Sequence, residues 1–531
     1  MSEKTADKSR NPIGWGYHED RLTEAERTPL IQAMQAFLGG EDWQPRAAPA
    51  VDDIPLAEAR IATPKSLADI VASDHETRLL HAVGRSFRDL AGLRSGAEIA
   101  APDAVARPQN QHQLVDVLAW ASDAGYAIVP FGGGSSVVGG VNPEGLERWP
   151  GVVTVDMAGL DRVHEIDTRD RVVHAQGGIF GPALDAALKP EGLAVRHYPQ
   201  SYFHSTLGGW VVTRGAGHFS TLHAKIEDRV QALSVLLPDG RNVTTRALPA
   251  SSVGIDPNRL WCGSEGALGI VTDVRLRVVS DPAHKDGVSV AFDDFESALE
   301  ATRAIVQAGI WPAQMRVLDP FEHLISTAMS GRMGEGALMI LGFEGERPVD
   351  HQKAAALEVA QAHGGTPRPR SDESSGDWRD TFFRQPYLRD ALMDYAVIAD
   401  TFETAVPWSR VPAFYHAVRD ATQQAVENIC GNGGVTCRVT HAYPDGVALY
   451  FSFYGRGDHD ALVEQWHQIK TAASDAVMAG GGTISHHHAM GRDHKPWAKQ
   501  ELPDAFRGAI RGAKAEVDPN GQMNPGLWFA D

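Results

Sequence analysis

Apolar residues recur along the chain with two different periods. A helical spacing occurs in QHQLVDVLAWASDAG, ESALEATRAIVQAG, DHQKAAALEVAQAHGG and HDALVEQWHQIKTAASDAVMAGGG, and each of these segments ends at glycine. They predict amphipathic helices, because apolar residues three and four positions apart share one helix face. In TEAERTPLIQAMQAFLGG the spacing begins after Thr23, a favourable N-cap, and stops at a double glycine.

Strands are predicted where β-branched and aromatic residues form short runs between turn residues. GVVTVDM, RVVHAQGG, IVTDVRLRVV, GVSVAFDDF, ALMILGFEG and TISHHHAM are such runs. VQALSVLLPDGRNVT and TCRVTHAYPDGVALYFSFYG predict hairpins, because Pro-Asp-Gly favours a tight bend. The two-residue period places Leu449, Phe451 and Phe453 on one strand face and Tyr450 on the other.

The order of these elements predicts an α+β fold in four regions. Residues 1–100 are expected to be mostly helical, and residues 101–281 alternate strand and helix signals. Residues 282–480 predict helices laid over one antiparallel sheet, and residues 481–531 predict a strand, a helix and a turn-rich tail. A chain of 531 residues is long enough for more than one core.

Composition narrows the class of partner. The net charge is −19, which argues against nucleic acid as a partner because a phosphate-binding surface needs a basic excess. Three cysteines form neither a disulfide framework nor a zinc pattern, and the N-terminus lacks the apolar stretch of a signal peptide. Because apolar runs of about 18 residues are also missing, we expect a cytoplasmic protein with no transmembrane segment.

Three stretches rich in glycine and hydroxyl residues are candidates for binding a cofactor. PFGGGSS alone would be read as a turn, but its glycines also allow backbone N–H groups to converge on a pyrophosphate. It matches neither the Rossmann nor the Walker pattern. Two further stretches of this kind favour a binding role over a simple turn: HYPQSYFHSTLGGWVVTRGAG and WCGSEGALGIVTDVRLRV. The candidate cofactor-binding residues are Pro130, Phe131, Gly132, Gly133, Gly134, Ser135, Ser136, Gln200, Ser201, Ser205, Thr206, Gly208, Gly209, Thr213, Arg214, Gly215, Ala216, Glu265, Gly266, Ala267, Leu268, Gly269, Ile270 and Val271.

These stretches resemble the FAD-binding domain of the vanillyl-alcohol oxidase type. Together with TFETAVPW, TCRVT, ISHHHAMG and VDPN, they resemble the alkyldihydroxyacetonephosphate synthase family from about residue 100 onward. The resemblance implies a two-subdomain FAD-binding domain at 101–281, a substrate-binding cap domain at 282–480, and a C-terminal segment that returns to the flavin. It also implies non-covalent FAD and a homodimer.

The resemblance implies a reaction without net oxidation. Through an adduct at flavin N5, the acyl group of an acyl-dihydroxyacetone phosphate would be exchanged for a fatty alcohol, giving an ether-lipid precursor. A close variant acting on a different ketone phosphate stays open. So do an FAD-dependent oxidoreductase of a 2-hydroxy acid or phenolic alcohol, which shares the flavin domain, and a flavin-binding protein without turnover.

Four residues match the family's catalytic positions. Tyr450 matches its catalytic tyrosine, although the sequence alone would favour a core tyrosine with a satisfied hydroxyl group. As an acid or base it needs help, because a free phenol has a pKa of about 10, which nearby cations would lower. His486, His487 and His488 match the family's active-site histidine run. A metal site is the rival interpretation, but no third ligand occurs at helix or strand spacing, so no metal is expected.

Two arginines match substrate-binding or activity-linked positions of the family. Arg389 is assigned to the substrate phosphate, since a planar fork of donors suits an oxyanion. Arg316 lies in the middle of a strand, where a structural ion pair with Asp319 or Glu403 is the alternative. Glu403 itself is expected to belong to the scaffold, where an arginine is its expected partner.

One segment departs from the family. Between RVLDP and ALMILGFEG the chain has only FEHLISTAMSGRMGEG, where eukaryotic members carry a longer apolar insertion associated with membrane contact. The expected partner is therefore a small phosphate-bearing or lipid substrate, with peripheral membrane contact still open.

Overall fold

The N-terminal hundred residues are mostly extended chain. The structure is a computed structural model that describes residues 8–328, 334–368 and 374–528, with the backbone alone described at 328 and 374–381. The N-terminal elements are α1 (Glu24–Leu38), β1 (Val71–Ala72), α2 (His75–Leu80) and α3 (Phe87–Gly92). Helix α1 has the predicted Thr23 cap, but the expectation of a mostly helical region is wrong. Prolines at 45, 49, 55 and 64 explain the difference, because proline cannot donate a helical hydrogen bond.

The region from 101 to 281 contains two main sheets, as the flavin-domain resemblance implies, and a small two-stranded sheet of β7 and β11. A four-stranded sheet has the order β1-β2-β4-β3 with parallel β2–β4 and β3–β4 pairs, and a five-stranded antiparallel sheet has the order β5-β6-β10-β8-β9. The predicted hairpin with the Pro-Asp-Gly bend is β8–β9. The elements are β2 (Ala104–Ala106), α4 (Gln111–Asp123), β3 (Ala127–Phe131), β4 (Val152–Asp156), β5 (Val163–Asp167), β6 (Val172–Gln176), α5 (Gly181–Leu188), β7 (Leu193–Ala194), α6 (Leu207–Thr213), α7 (Ser220–His223), α8 (Ile226–Arg229), β8 (Val230–Leu236), β9 (Asn242–Thr244), α9 (Asn258–Trp261), β10 (Ile270–Arg277) and β11 (Val279–Ser280).

The third region is one antiparallel sheet covered by helices, which confirms the prediction. Seven strands pair in the order β15-β12-β14-β13-β17-β18-β16. Its elements are β12 (His284–Phe292), α10 (Phe295–Gln307), β13 (Gln314–Leu318), α11 (Pro320–Ala328), β14 (Ala337–Gly345), α12 (Asp350–Ala362), β15 (Thr366–Arg368), α13 (Ser374–Met393), β16 (Val397–Pro407), α14 (Val411–Cys430), β17 (Gly433–Ala442), β18 (Gly446–Arg456) and α15 (Leu462–Ala479). The short connection after β13 includes residues 329–333, which lie outside the described residues.

The two faces of this sheet have different chemistry. Val317, Cys437, Leu449 and Phe451 point into the main hydrophobic core together with side chains of α10, α12, α14 and α15. Because side chains alternate along a strand, the neighbours of these residues point to the opposite face. That face carries the polar residues described below.

The C-terminal segment returns to the first sheet. After α16 (Lys495–Glu501) and α17 (Asp504–Val517), Met523 bridges to Ile128, and the Asn524 side-chain amide donates to the carbonyls of Gly140 and Glu265. The strand predicted over TISHHHAM is wrong, since this stretch is irregular. The exact domain boundaries stay predictions. Among the described helices, none is long and apolar enough to cross a membrane.

Candidate active site

The three glycine-rich stretches border one cavity of about 240 Å³ between the two sheets of the first domain and the seven-stranded sheet. Most of the predicted cofactor-binding residues line it, from Pro130 to Ser136 and at positions in both later stretches. Three of them do not. Arg214 caps α6 and pairs with Glu227, while Ala267 and Leu268 are buried in the protein interior.

The loop at 132–137 presents unused hydrogen-bond donors to this cavity. Within the described part of the chain, the backbone N–H groups of residues 133–137 donate to no protein acceptor. Gly133 packs so tightly that a Cβ atom there would overlap the carbonyl oxygen of His204, and Gly134 has a φ of 68°. Converging N–H groups of this kind suit a pyrophosphate, so the residues fit a dinucleotide cofactor such as FAD.

The third stretch is held in place by a buried carboxylate. Glu265 lies in the left-handed region with a φ of 49°, and its side chain accepts the backbone N–H groups of Met490 and Gly491 at 3.0–3.2 Å. Burial raises the pKa of Glu265 to about 7. Glu265 therefore ties the flavin-domain loop to the segment that follows the histidine run.

Tyr450 lies on the polar face of the seven-stranded sheet and lines the cavity. Its hydroxyl group is 2.8 Å from the Thr401 hydroxyl, and the Arg438 guanidinium stacks over its ring at 4.4 Å. Its ring also packs against His487 and His488, with centroid distances of 6.1 and 5.8 Å. The expected lowering of its pKa is wrong: burial raises the pKa of Tyr450, and Arg438 opposes this only in part. The resting group is a neutral phenol.

The histidine run is organised by Glu403. This buried carboxylate accepts the backbone N–H groups of His486, His487 and His488 at 2.6, 3.0 and 2.9 Å, and also the Ser485 hydroxyl at 2.8 Å. These bonds replace a strand ladder, which is why the predicted strand does not form. Burial opposes ionisation of Glu403, but His487 and its neighbours hold the pKa of this carboxyl well below its ordinary value.

The three imidazoles have different positions. His487 and His488 line the cavity, whereas His486 lies behind them with its Nε2 atom 2.5 Å from the Tyr443 hydroxyl. Burial lowers the pKa of His488 to about 3 and that of His486 well below its ordinary value. Both rings are therefore neutral near pH 7, and each has one ring nitrogen that can accept a hydrogen bond.

No third metal ligand was expected near the histidine run because only ligands at helix or strand spacing were considered. The folded chain does bring further ligands close. His441 brings a ligand nitrogen within 4.8 Å of those of His486 and His487, and Glu403 does the same for His487 and His488. Sequence spacing missed both groupings because β16, β17 and the histidine loop meet only in the folded chain. We treat these residues as the acid–base set, since Tyr450 and the cavity lie beside them.

The two predicted arginines occupy different cavities. Arg316 lines the 240 Å³ cavity, donates to the Thr440 carbonyl, and places one guanidinium nitrogen 3.2 Å from Nδ1 of His218. Burial lowers the pKa of Arg316 to about 9. The alternative of an ion pair with Asp319 or Glu403 finds no support, because Asp319 accepts from the backbone of Cys437 and from Tyr415, while Glu403 binds the histidine loop.

Arg389 lines a second, larger cavity of about 930 Å³. Its guanidinium donates to the Arg85 carbonyl at 2.9 Å and to the Asp390 carboxylate at 3.1 Å. Apolar, basic and acidic side chains share the walls of this cavity, and the carboxylates of Glu344, Glu322 and Asp400 pair with three of its basic residues. The basic residues are Arg196, Lys285, Arg389, Arg438 and Lys470.

The two cavities share part of their walls. Trp15, His218, Arg438, Tyr450 and His488 border both of them. The polar face of the seven-stranded sheet is therefore the wall at which the smaller cavity meets the larger one.

Several lining residues escaped the sequence analysis. Arg438 is directly opposite Tyr450 in the β17–β18 hairpin, and the Pro-Asp-Gly turn could have fixed that register. Glu403, which was expected to belong to the scaffold, lies opposite Tyr450 on its other side, in β16, and its hold on the histidine loop was missed. Trp15 reaches the site from a distant loop, whereas His218 directly follows the second glycine-rich stretch, a position that the sequence analysis did not use.

Comparisons with known proteins agree with this geometry. Residues 102–246 match a family described as FAD binding domain, and residues 281–527 match FAD linked oxidases, C-terminal domain. The alkyldihydroxyacetonephosphate synthase of Trypanosoma brucei brucei is 31% identical over 482 residues, which cover 86% of this chain and 78% of that protein.

Solved structures show the same fold. An alkyldihydroxyacetonephosphate synthase superposes with a TM-score of 0.81 at 23% identity, covering 97% of this chain and 98% of its own. Substrate-bound p-cresol methylhydroxylase superposes with a TM-score of 0.67 at 12% identity, covering 95% and 97%.

Fold and site thus define an FAD-binding enzyme of the FAD-linked oxidase class, with the two-subdomain flavin domain and cap expected from the sequence. Within this class, the 31% identity to the Trypanosoma brucei brucei protein over most of both chains identifies the family. The chain belongs to the alkyldihydroxyacetonephosphate synthase family.

Gly133→Ala tests the glycine loop. The new methyl group would overlap the His204 carbonyl and push the loop out of place, so we expect FAD binding to weaken about tenfold or more. The FAD-to-protein ratio from absorbance and a titration of stripped protein measure this. Gly92→Ala is the control, because a Cβ atom there meets nothing within 4 Å. Equal FAD affinity in both variants would contradict the assignment.

Glu403→Gln tests the anchor of the histidine loop. Glutamine keeps only one acceptor oxygen, and its NH₂ group would face backbone N–H groups that also donate. We therefore expect a loss of about 1–3 kcal/mol in the free energy of unfolding near pH 7, measured by urea denaturation. Because the pKa of Glu403 is lower in the folded than in the unfolded chain, its stabilising effect is present above about pH 4.3 and is lost on acidification. The difference between wild type and variant should shrink below that pH.

Glu300→Gln, at a half-exposed helical pair with Arg303, is the matched control and should change stability little. A Glu403→Gln protein as stable as wild type throughout the pH range would show that the carboxylate is not the anchor.

Proposed function

We propose that this protein exchanges the acyl group of an acyl-dihydroxyacetone phosphate for a fatty alcohol. The bond between the glycerone carbon and the acyl oxygen breaks, and a bond from that carbon to the alcohol oxygen forms. A fatty acid is released and nothing is oxidised or reduced overall. When bound, FAD would supply a nucleophilic ring nitrogen for this substitution.

The observation that carries the proposal is the junction of the two cavities at Tyr450 and His488. The smaller cavity carries the glycine loops that fit FAD, and the larger one combines apolar walls with basic side chains. A substrate with a long alkyl or acyl chain and a phosphate needs this combination. The acid–base groups lie between them, where the cofactor and the substrate would meet.

We assign proton movement to Tyr450, His487 and His488. The neutral Tyr450 phenol can donate a hydrogen bond to the departing carboxylate oxygen, and the neutral His488 ring can accept a hydrogen bond from the incoming alcohol. His487 packs between them and contacts the Glu403 carboxylate at 3.3 Å. His486 is assigned a supporting role, because it lies behind this pair and holds Tyr443.

We assign the substrate phosphate to Arg389 and a supporting role at the flavin side to Arg316. A guanidinium group can bind an oxyanion with two parallel hydrogen bonds, which suits a phosphate. For Arg389 the phosphate would join or replace the Asp390 contact. Lys470, buried on the same wall, donates to the Thr401 carbonyl at 2.8 Å and adds positive charge near Tyr450.

Further features belong to the same proposal. FAD is retained without a covalent bond: His204 lies behind the glycine loop against Trp15 and Tyr17, and His218 is engaged with Arg316. A homodimeric state, peripheral contact with lipid and a cytoplasmic location are also proposed, on the family relationship and the sequence alone.

A second candidate is an FAD-linked oxidoreductase acting on a 2-hydroxy acid or a phenolic alcohol. The match to FAD linked oxidases over residues 281–527 favours it. Tyr450 and the histidines could serve as the base in such an oxidation as well. The two functions differ in whether electrons leave the substrate.

An activity assay separates the two functions. With acyl-dihydroxyacetone phosphate and a fatty alcohol, we expect release of one fatty acid per ether formed, with no oxygen consumed and no lasting loss of flavin absorbance. Mass spectrometry and an oxygen electrode measure this. Rapid flavin bleaching by D-lactate or a phenol, without ether formation, would support the oxidoreductase instead.

Tyr450→Phe tests the proton-transfer role. The variant keeps the ring and its packing but lacks the hydroxyl group, so we expect turnover to fall on the order of 10²–10⁴-fold with FAD content unchanged. Tyr126→Phe, outside both cavities, is the control and should keep full activity. Undiminished turnover in Tyr450→Phe would remove this residue from the mechanism.

A further inference from the structure

A group of metal-ligating side chains lies outside the active site, on the outer face of the five-stranded sheet. His164, His174 and Asp273 come from three strands, β5, β6 and β10. Their ligand atoms all lie within 4.8 Å of one another. The side chains are partly exposed, at 31%, 26% and 16%, so an ion from solvent can reach them.

A β-bulge produces this grouping. Glu165 pairs with His174 and Val163 pairs with Ala175, so β5 has one extra residue, His164, between two pairs. In a regular strand His164 would point to the face opposite Glu165. The bulge turns both side chains outward, which brings His164 beside His174 and Asp273.

The distances suit a small tetrahedral ion. Zinc–nitrogen bonds of about 2.0–2.1 Å imply ligand atoms about 3.4 Å apart. The Asp273 oxygen lies 2.8 Å from Nε2 of His164 and 4.0 Å from Nε2 of His174. Sub-ångström shifts on both sides would therefore give the required spacing. Rigid strands, paired along their length, hold all three ligands.

The charges around the group are compatible with a cation. Asp273 supplies one negative charge beside the rings of His164 and His174. Arg275 is the neighbouring positive charge, but it pairs with the Glu165 carboxylate at 3.1 Å. Neutral imidazoles and a carboxylate are ligands that Zn²⁺ prefers.

We propose that His164, His174 and Asp273 form a binding site for a divalent transition-metal ion, best suited to Zn²⁺ with solvent as the fourth ligand. The ion would link strands β5, β6 and β10. It would lie close behind the flavin cavity, because β6 leads into Gly177 and β10 begins with Ile270 and Val271, which line that cavity. It is separate from the catalytic histidines and independent of the proposed reaction.

Zinc binding to the FAD-loaded protein tests the proposal. We expect equilibrium dialysis with Zn²⁺ alone to show a saturable site of one ion per chain, and His164→Gln or His174→Gln to weaken that site at least about tenfold. Saturating Zn²⁺ should raise the Tm of wild type but not of the variants. His112→Gln is the matched control, because His112 pairs with Asp116 at 3.1 Å on an exposed helix.

Co²⁺ provides a second measurement that does not depend on stability. Bound tetrahedrally, it should give visible absorption beyond the flavin bands in wild type and in His112→Gln, and not in His174→Gln. Absorption from Co²⁺ held by the catalytic histidines would be the same in all three proteins, so the proposed site is measured by the absorption that wild type has and His174→Gln lacks. Equal Zn²⁺ binding by wild type and His174→Gln, or no saturable binding by wild type, would overturn the proposal.

Discussion

The candidate active site depends on one buried carboxylate. Glu403 receives three successive backbone N–H groups and the Ser485 hydroxyl, so its position fixes the path of the histidine loop. A lone charge of this kind inside a protein would be costly, and the cost is offset because nearly every acceptor position on the carboxylate is used. With the loop on this path, the imidazoles of His487 and His488 pack against the Tyr450 ring and against Glu403 itself.

The seven-stranded sheet explains why these groups meet. Glu403, Tyr450, Arg438 and Arg316 lie on neighbouring strands and project from one face, while their sequence neighbours fill the hydrophobic core on the other. The alternation of side chains along each strand therefore supplies both the polar residues of the site and the apolar residues of the core. The core stabilises the sheet, and its stability holds the polar face in register against the flavin domain.

Much of this fold could be predicted from local signals. Helices α4, α10, α12 and α15 follow from apolar spacing, and both hairpins follow from Pro-Asp-Gly. The glycine stretches indicated a cofactor because a ligand that approaches the backbone closely requires glycines, which are visible in the sequence. The histidine loop was mistaken for a strand, because its hydrogen-bond acceptor is a side chain more than eighty residues away. Local patterns cannot reveal such a partner.

Burial sets the resting charge of the site. It raises the pKa of Tyr450 and lowers that of His488, so both proton-carrying groups are neutral when the site is at rest. The fixed charges are instead the carboxylate of Glu403 and the guanidinium groups of Arg316 and Arg438. In the proposed reaction, hydrogen bonds from the phenol to the substrate and from the substrate to the imidazole would form within a field that is already oriented. Such an arrangement suits the proposed reaction, in which one oxygen substituent leaves a carbon and another replaces it, because the incoming alcohol must lose a proton and neither step needs an electron acceptor.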